Sequence, residues 1–332
     1  MRGGTGATGL LTTSPARAAA ALAQGHLAVV PTETVYGLGA RATDPSAVAR
    51  VYAVKGRPAD HPLIVHLPCV DALDDWACEV PGYARRLAET LWPGPLTLVL
   101  PRGERAGGHV TGGQATVGLR VPDHPVTLEV LALVDDGVAA PSANRFGRVS
   151  PTRVEHVLAD IGTRLVPGTD VVLDGGACRV GLESTIVDAT AAFPRILRPG
   201  AVSAEQVAEI GGVAVDTSRS PVRAPGSLAA HYAPRARVTL VDDPRTVAAQ
   251  VARDPTGRPT TGLLALADVA TPDGLVRLAA PTTVDELAAV LYAALREADA
   301  LRLTSVLAVP PAGAGLAEAV RDRLRRAAAD AR

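Results

Sequence analysis

Leu27-Ala-Val-Val-Pro31-Thr-Glu-Thr-Val-Tyr36 is the stretch whose reading decides the fold. Five apolar residues run straight into a polar segment, too short for a helix and bounded upstream by Gly25, so Leu27–Pro31 reads as a buried strand. Upstream, Pro15–Gln24 is Ala-rich and stops at Gly25, and downstream Pro45–Val54 opens on a proline; both predict helices. The same alternation continues. Leu63–Leu67, Leu96–Leu100, Val117–Val121, Gly137–Ala140, Val171–Leu173 and Ser184–Asp188 read as strands, while Tyr83–Leu91, Val154–Ile161 and Ala204–Ile210 read as helices. Short apolar runs interleaved with helices predict an open α/β sheet.

The character changes over residues 211–235, where Ser218–Pro225 holds Arg, Ser and Pro with little apolar content, as a linker does. Alternation then resumes: Val238–Val241, Thr261–Ala267 and Ser305–Val309 as strands, with helices near Val247–Ala252, Val284–Ala298 and Leu316–Ala328. The expected organisation is a disordered tail over 1–13, a catalytic domain over 14–210, a linker over 211–235 that covers the active site, and a smaller α/β domain over 236–332. The tail contains Gly4-x-Gly6-x-x-Gly9, which matches a dinucleotide fingerprint but has no room for the strand that must precede one.

Composition excludes several classes. The 332 residues are 47% hydrophobic, 20% charged and only 3% aromatic, so the cores are built from Val, Leu, Ala and Ile. The formal net charge is −1, with −3 over residues 1–210 and +2 over 211–332, which offers no global field for a polyanion. Cys69, Cys78 and Cys178 have no paired spacing and point to a reducing, cytoplasmic setting without a protein-bound zinc. No run is long and apolar enough to span a bilayer, so no membrane partner is expected.

Two residues stand out. Of 33 basic residues 32 are Arg, and the single lysine is Lys55 in Lys55-Gly-Arg-Pro58. The single asparagine is Asn144 in Pro141-Ser-Ala-Asn144. Either alone reads as chance survival on a surface. Two singletons in two polar, turn-like motifs point to chemistry. A lysine is a compact point charge for phosphate oxygens, Arg57 adds a planar fork, and Gly56 between them lets a ligand approach the backbone. Asn144 both donates and accepts, and Ser142 and Ser150 add hydroxyls after an apolar strand, where open α/β sheets gather ligands. A Walker loop is excluded, because the only lysine is followed by Gly56.

Seven motifs occur in order: Pro31-Thr-Glu-Thr-Val-Tyr-Gly-Leu-Gly39, Lys55-Gly-Arg-Pro58, Pro62-Leu-Ile-Val-His66, Val117-Gly-Leu-Arg-Val-Pro122, Pro141-Ser-Ala-Asn144, Gly181-Leu-Glu-Ser-Thr185 and Leu197-Arg-Pro-Gly200. Together they resemble the threonylcarbamoyl-adenylate synthase (Sua5/YrdC/YwlC) family across residues 10–205. Ala224-Pro-Gly226 and His231-Tyr-Ala-Pro234 resemble the linker of the two-domain Sua5 type. The resemblance implies a YrdC-like twisted open sheet with a large cavity, followed by a smaller Rossmann-like α/β domain. It also implies a nucleotidyltransferase that makes L-threonylcarbamoyladenylate and pyrophosphate from ATP, L-threonine and bicarbonate, with Mg²⁺ arriving on the nucleotide, for threonylcarbamoyl modification of tRNA. A tRNA threonylcarbamoyl transferase is the implied downstream partner, and direct tRNA binding is left undecided.

Carried over residue by residue, Lys55 and Arg57 are the implied catalytic cations. Lys55, Arg57, Ser142, Asn144, Ser150 and Arg198 face ATP, with Thr116 on the cavity wall and Tyr232 reaching back from the linker onto the nucleotide. Thr34, His66, Arg120 and Ser184 hold threonine, with Arg120 on its carboxylate and Thr32 as a wall contact. His61 replaces the asparagine common in the family; it is kept with the ATP group, and its imidazole is expected to charge at mild acidity. Glu33 and Glu183 read as structural acceptors, and Trp92 as core. Two other classes are weighed: an RNA-binding module of this fold without synthase activity, opposed by the −3 charge of residues 1–210, and a carbamoyl-transfer enzyme of the hydrogenase-maturation type, opposed by the scattered cysteines.

Overall fold

The structure, a computed structural model, describes residues 9–226, 231–250 and 257–329. It divides into two compact units. The first groups the described residues up to Phe146 with Pro151–Arg179 and the segment from Glu183 to Gly226; the second groups Gly147–Ser150, Val180–Leu182 and the described residues beyond position 230.

The first unit runs β1 (Leu11–Thr12), α1 (Pro15–Ala23), β2 (Ala28–Val30), β3 (Gly37–Arg41), α2 (Pro45–Lys55), β4 (Ile64–His66), α3 (Leu73–Trp76), α4 (Gly82–Leu91), β5 (Leu96–Pro101), α5 (Gly108–Thr111), β6 (Thr116–Arg120), α6 (Pro125–Val134), β7 (Val138–Ala139), α7 (Val154–Ile161), β8 (Val171–Leu173), β9 (Thr185–Asp188), β10 (Arg195–Arg198) and α8 (Ala204–Gly211). Its ten strands form one mixed sheet in the order β1-β8-β2-β3-β7-β4-β6-β5-β9-β10. Helix α2 shows how the sequence ends an element where the site needs it. Asp44 caps its start by accepting from the amides of Ser46 and Ala47, Pro45 supplies the first turn, and Gly56 at φ 64° takes the left-handed cap that turns the chain toward Arg57.

Besides the single-turn helices α3 and α5, four elements of this unit were not expected, and each of the four is made by a neighbour rather than by local preference. Strand β3 carries Gly37 and Gly39, which disfavour a strand; a Cβ on Gly39 would lie 2.9 Å from both the Ala28 carbonyl and Val138, so glycine is what lets β3 sit between its partners. Helix α6 is apolar almost throughout and forms by burying Val130 and Leu131 against Ala18 and Leu22 of α1. Strand β10 is an antiparallel edge on β9. Strand β1 corrects the expected tail: Leu10 is buried, Leu11 and Thr12 pair with Val172 and Leu173, and amides of β8 and its following turn bond to the Leu10 and Thr12 carbonyls. The rest of the tail, including all but the last glycine of the Gly4–Gly9 pattern, lies outside the described residues.

The expected linker divides. Its earlier part lies on the first sheet. Val222 and Ala224 pack with Val99, Ile186, Ile64 and Leu197. The Ser220 hydroxyl donates to Asp188 at 2.6 Å, and Arg223 and Gln114 exchange two backbone-to-amide hydrogen bonds at 3.0 and 3.2 Å. Arg198 donates to the Pro225 carbonyl at 3.1 Å. Beside it, residues 195–197 and 217–224, with Leu197 and Ala224 of the motifs among them, line a surface depression of about 760 Å³. The later part, from His231, belongs with the second unit.

That second unit contains β11 (Arg237–Leu240), β12 (Thr261–Leu264), β13 (Val276–Ala279), α9 (Val284–Ala300), β14 (Ser305–Ala308) and α10 (Leu316–Ala328). Its sheet is parallel, in the order β11-β14-β12-β13, as a Rossmann-like α/β domain requires. Where a helix was expected near Val247–Ala252 the chain makes 3₁₀ turns over Pro244–Gln250, and the remainder lies outside the described residues.

Candidate active site

Parallel strands β4 and β6 end side by side, and their last residues, His66 and Arg120, are register partners. Both are buried. The Arg120 guanidinium is held on three sides: Nε donates to the Gly94 carbonyl at 3.1 Å, Nη1 to the Thr34 hydroxyl at 3.0 Å, and Nη2 stands 2.6 Å from Glu33 Oε1. Thr34 lies in the loop that follows β2. The Thr32 hydroxyl folds that loop by accepting from the amides of Thr34 and Val35 and donating to the Val35 carbonyl at 2.6 Å. Its proton being spent there, the 2.8 Å contact between the two threonine hydroxyls has Thr34 donating to Thr32. The chain Thr32–Thr34–Arg120–Glu33 is thus fixed in direction.

His66 has lost its solvent. Burial first, and then the Arg120 charge, push its pKa down to about 3, so the imidazole is neutral across the physiological range. Its Nδ1 makes no hydrogen bond among the described residues. On the next strand pair, Ser184 shares a 2.8 Å contact with the Thr97 hydroxyl and receives Arg198, whose Nη2 donates to both its hydroxyl, at 3.1 Å, and its carbonyl, at 2.9 Å. Arg198, expected to face ATP, thus also holds Ser184, a residue expected to meet threonine.

A second group forms where α2 ends. Lys55 is fully buried, and its ammonium donates to the carbonyls of Ser142 and, at 2.7 Å, Asn144. The chain's only lysine and only asparagine therefore meet. Desolvation, followed by the nearby Arg57 charge, holds the Lys55 pKa well below the usual lysine value, with Asp160 and Glu183 opposing the fall. Arg57 donates to the Pro62 carbonyl at 2.9 Å and lays its guanidinium 5.7 Å from the centre of the Phe146 ring. The His61 ring meets the same phenyl edge-on at 5.4 Å. Partial burial, then the Arg57 charge, lower the His61 pKa from the ordinary imidazole value, against the expected charging at mild acidity.

The side chains described so far form two buried polar groups in the first unit, and comparison with known proteins gives them a setting. The Sua5/YciO/YrdC family model, described as telomere recombination, matches residues 20–200, and the model for the threonylcarbamoyl-AMP synthase C-terminal domain matches residues 202–329. A threonylcarbamoyl-AMP synthase of Pyrococcus abyssi is 38% identical over 93% of this chain and 92% of its own length, and one of Bacillus subtilis is 37% identical over 94% and 92%. This chain belongs to the threonylcarbamoyl-AMP synthase family. The crystal structure of P. abyssi Sua5 complexed with L-threonine superposes with a TM-score of 0.85 at 37% identity, covering 96% of both chains. The chain is thus an enzyme of the two-domain Sua5 type.

Within that family frame, the expected residues do not all lie in one unit. Thr32, Thr34, Lys55, Arg57, His61, His66, Thr116, Arg120, Ser142, Asn144, Ser184 and Arg198 belong to the first. Thr116 opens β6 and borders a narrow groove with Thr97, Gln114 and Pro225. Ser150 and Tyr232 group with the second unit. There Arg296 donates to the Val149 and Ser150 carbonyls. Tyr232, at φ 63° and buried, stacks on Tyr292 at 5.5 Å with Arg323 5.4 Å from its ring. Phe146 escaped the reading of the sequence. Its signal was available: it is one of two phenylalanines, two residues beyond Asn144.

Proposed function

We propose that this enzyme is a nucleotidyltransferase that joins L-threonine, bicarbonate and ATP into L-threonylcarbamoyladenylate, releasing pyrophosphate and water. The observation that carries the reading is Arg120, a buried guanidinium aimed at strand ends beside Thr34 and neutral His66, which suits an amino acid with a β-hydroxyl. The Lys55, Arg57 and Asn144 group supplies cationic and amide contacts of the kind a triphosphate takes. In this reading the carbamate oxygen of N-carboxythreonine forms a bond to the α-phosphorus as the bond to the pyrophosphate oxygen breaks. The protein contributes placement and positive charge rather than a covalent intermediate.

Mg²⁺ would supply charge neutralisation on the phosphates. Among the described residues no cluster of three or more His, Cys, Asp or Glu could cage a metal, which suits an ion that keeps its waters and rides on the nucleotide. Three free cysteines suit a reducing cytoplasm, and no described helix is long and apolar enough to cross a membrane. The adenylate would pass to a tRNA threonylcarbamoyl transferase.

Pyrophosphate release is expected only with ATP, Mg²⁺, L-threonine and bicarbonate together, with the adenylate identified by mass spectrometry. Equal release with serine, or without bicarbonate, would sink the assignment. Salt-dependent retention of tRNA with no pyrophosphate formed would favour the RNA-binding reading instead.

A further inference from the structure

Glu33 read from the sequence as a structural acceptor, and the structure gives it almost nothing to accept. Its side chain is 1% exposed, yet among the described residues neither carboxylate oxygen receives an aligned hydrogen bond. Oε1 has the Arg120 Nη2 beside it at 2.6 Å, and Oε2 has no hydrogen-bond partner among the described residues. A buried ionised carboxylate with an idle oxygen is expensive unless something completes it. The surrounding groups do not. The Cys178 thiol, pushed up to about 12 by burial with the Glu33 charge adding to the rise, stays neutral, and the His124 imidazole is held down by burial. A charge count makes the same point. Arg120 and Glu33 already cancel, so a bare carboxylate entering on Arg120 would leave one negative charge in a buried site. A ligand that brings a positive charge next to its carboxylate keeps the balance, and in any α-amino acid the ammonium sits one carbon from the carboxylate.

We propose that Glu33 Oε2 binds the α-ammonium of the incoming substrate, before that amine gives up its proton and is carboxylated, so that Glu33 and Arg120 together select a zwitterion. This rests on the reading that Arg120 takes the threonine carboxylate. Glu33 is then a specificity-determining residue, and it distinguishes threonine from its des-amino counterpart, which carries the same carboxylate and hydroxyl.

The test is calorimetric titration of the full chain with L-threonine and with (R)-3-hydroxybutyrate, with binding of a non-hydrolysable ATP analogue as the check on folding. Glu33→Gln keeps the volume and removes the charge. It is expected to weaken threonine at least tenfold while hydroxybutyrate binds as well or more tightly, because the Arg120 charge is no longer cancelled. A threonine-to-hydroxybutyrate preference that stays at the wild-type value, including a parallel loss of both ligands, overturns the proposal. Should Glu33→Gln fail the ATP-analogue check, Glu33→Asp is titrated the same way. It retains the charge one methylene back and is expected to lose threonine without gaining hydroxybutyrate; unchanged threonine affinity there also overturns it. A wild-type chain that binds neither ligand sinks the functional reading and takes this inference with it.

Discussion

Arg120 on β6 and Arg277 on β13 are both strand arginines, one in each unit, and their surroundings differ in kind. Arg277 is spent. Nε donates to the Ala279 carbonyl, Nη1 to Val269 and the Thr271 hydroxyl, and Nη2 to Ala265 and Leu266, at 2.6 to 3.3 Å. All five N–H groups close onto one corner of the second sheet, a structural clamp. Arg120 meets one carbonyl, one hydroxyl and a carboxylate that itself lacks hydrogen bonds among the described residues. Donor accounting therefore separates an arginine that holds the fold from one held ready for a ligand, though both arise from similar apolar-strand sequence. Lys55 lies between the two: its ammonium is anchored on carbonyls, but those carbonyls belong to the motif that carries Ser142 and Asn144.

The largest effect should come from that intermediate case. Lys55→Arg is expected to lower pyrophosphate formation by about 10²–10³-fold, the usual loss when one preorganised charged contact is misplaced. A planar guanidinium does not fit a carbonyl cage built for an ammonium, although Arg serves at every other basic position. Turnover near wild type would move Lys55 to the structural side of the comparison.

Next, the two arginines can be exchanged for methionine in parallel. Arg120→Met should weaken threonine by roughly 10–100-fold, since hydrogen bonds from a charged group contribute about 1.5–3 kcal/mol each, and should leave ATP-analogue binding near wild type. Arg277→Met should leave both ligands unchanged and lower the denaturant midpoint by an amount equivalent to about 1–3 kcal/mol at most, because it strands part-buried carbonyls. If Arg277→Met impaired threonine binding as Arg120→Met does, donor accounting would not separate the two roles.

The smallest effect is in pH dependence. His66 has a folded pKa near 3 against an ordinary value of 6.5, so between those limits the unfolded chain binds the proton and the native one does not. Stability should therefore be unaffected by His66 above pH 6.5 and fall as pH drops from 6.5 toward 3. The slope of this single group is at most about 1.4 kcal/mol per pH unit. Replacing His66 by Gln should flatten the denaturation midpoint over that window. An unchanged slope would show that the acid sensitivity lies elsewhere.

Much of the site was legible before any coordinates. Lys55 and Asn144 could be singled out because the composition had removed their kind everywhere else, and the Leu27–Pro31 strand with its polar exit placed Thr32 and Thr34 at a strand end. Others could not be read. Phe146 sits in a polar stretch with no period to mark it, and it matters only because Arg57 and His61 fold onto its ring. The direction of Arg198 was hidden too. Strand β10 is an edge whose position depends on β9, so nothing local shows that its last side chain turns to Ser184.

By itself the sequence determined the α/β alternation, the caps of α2, the two-unit division and the identity of the residues that carry charge, because each follows from patterns a few residues long. The tertiary structure decided which of those charges are satisfied. Pairing Glu33 with Arg120, closing Lys55 on the carbonyls of Ser142 and Asn144, and drying His66 to a pKa near 3 all join residues dozens of positions apart or depend on burial from several strands at once. Desolvation and hydrogen-bond completion are properties of a packed interior, and no local stretch of sequence contains them.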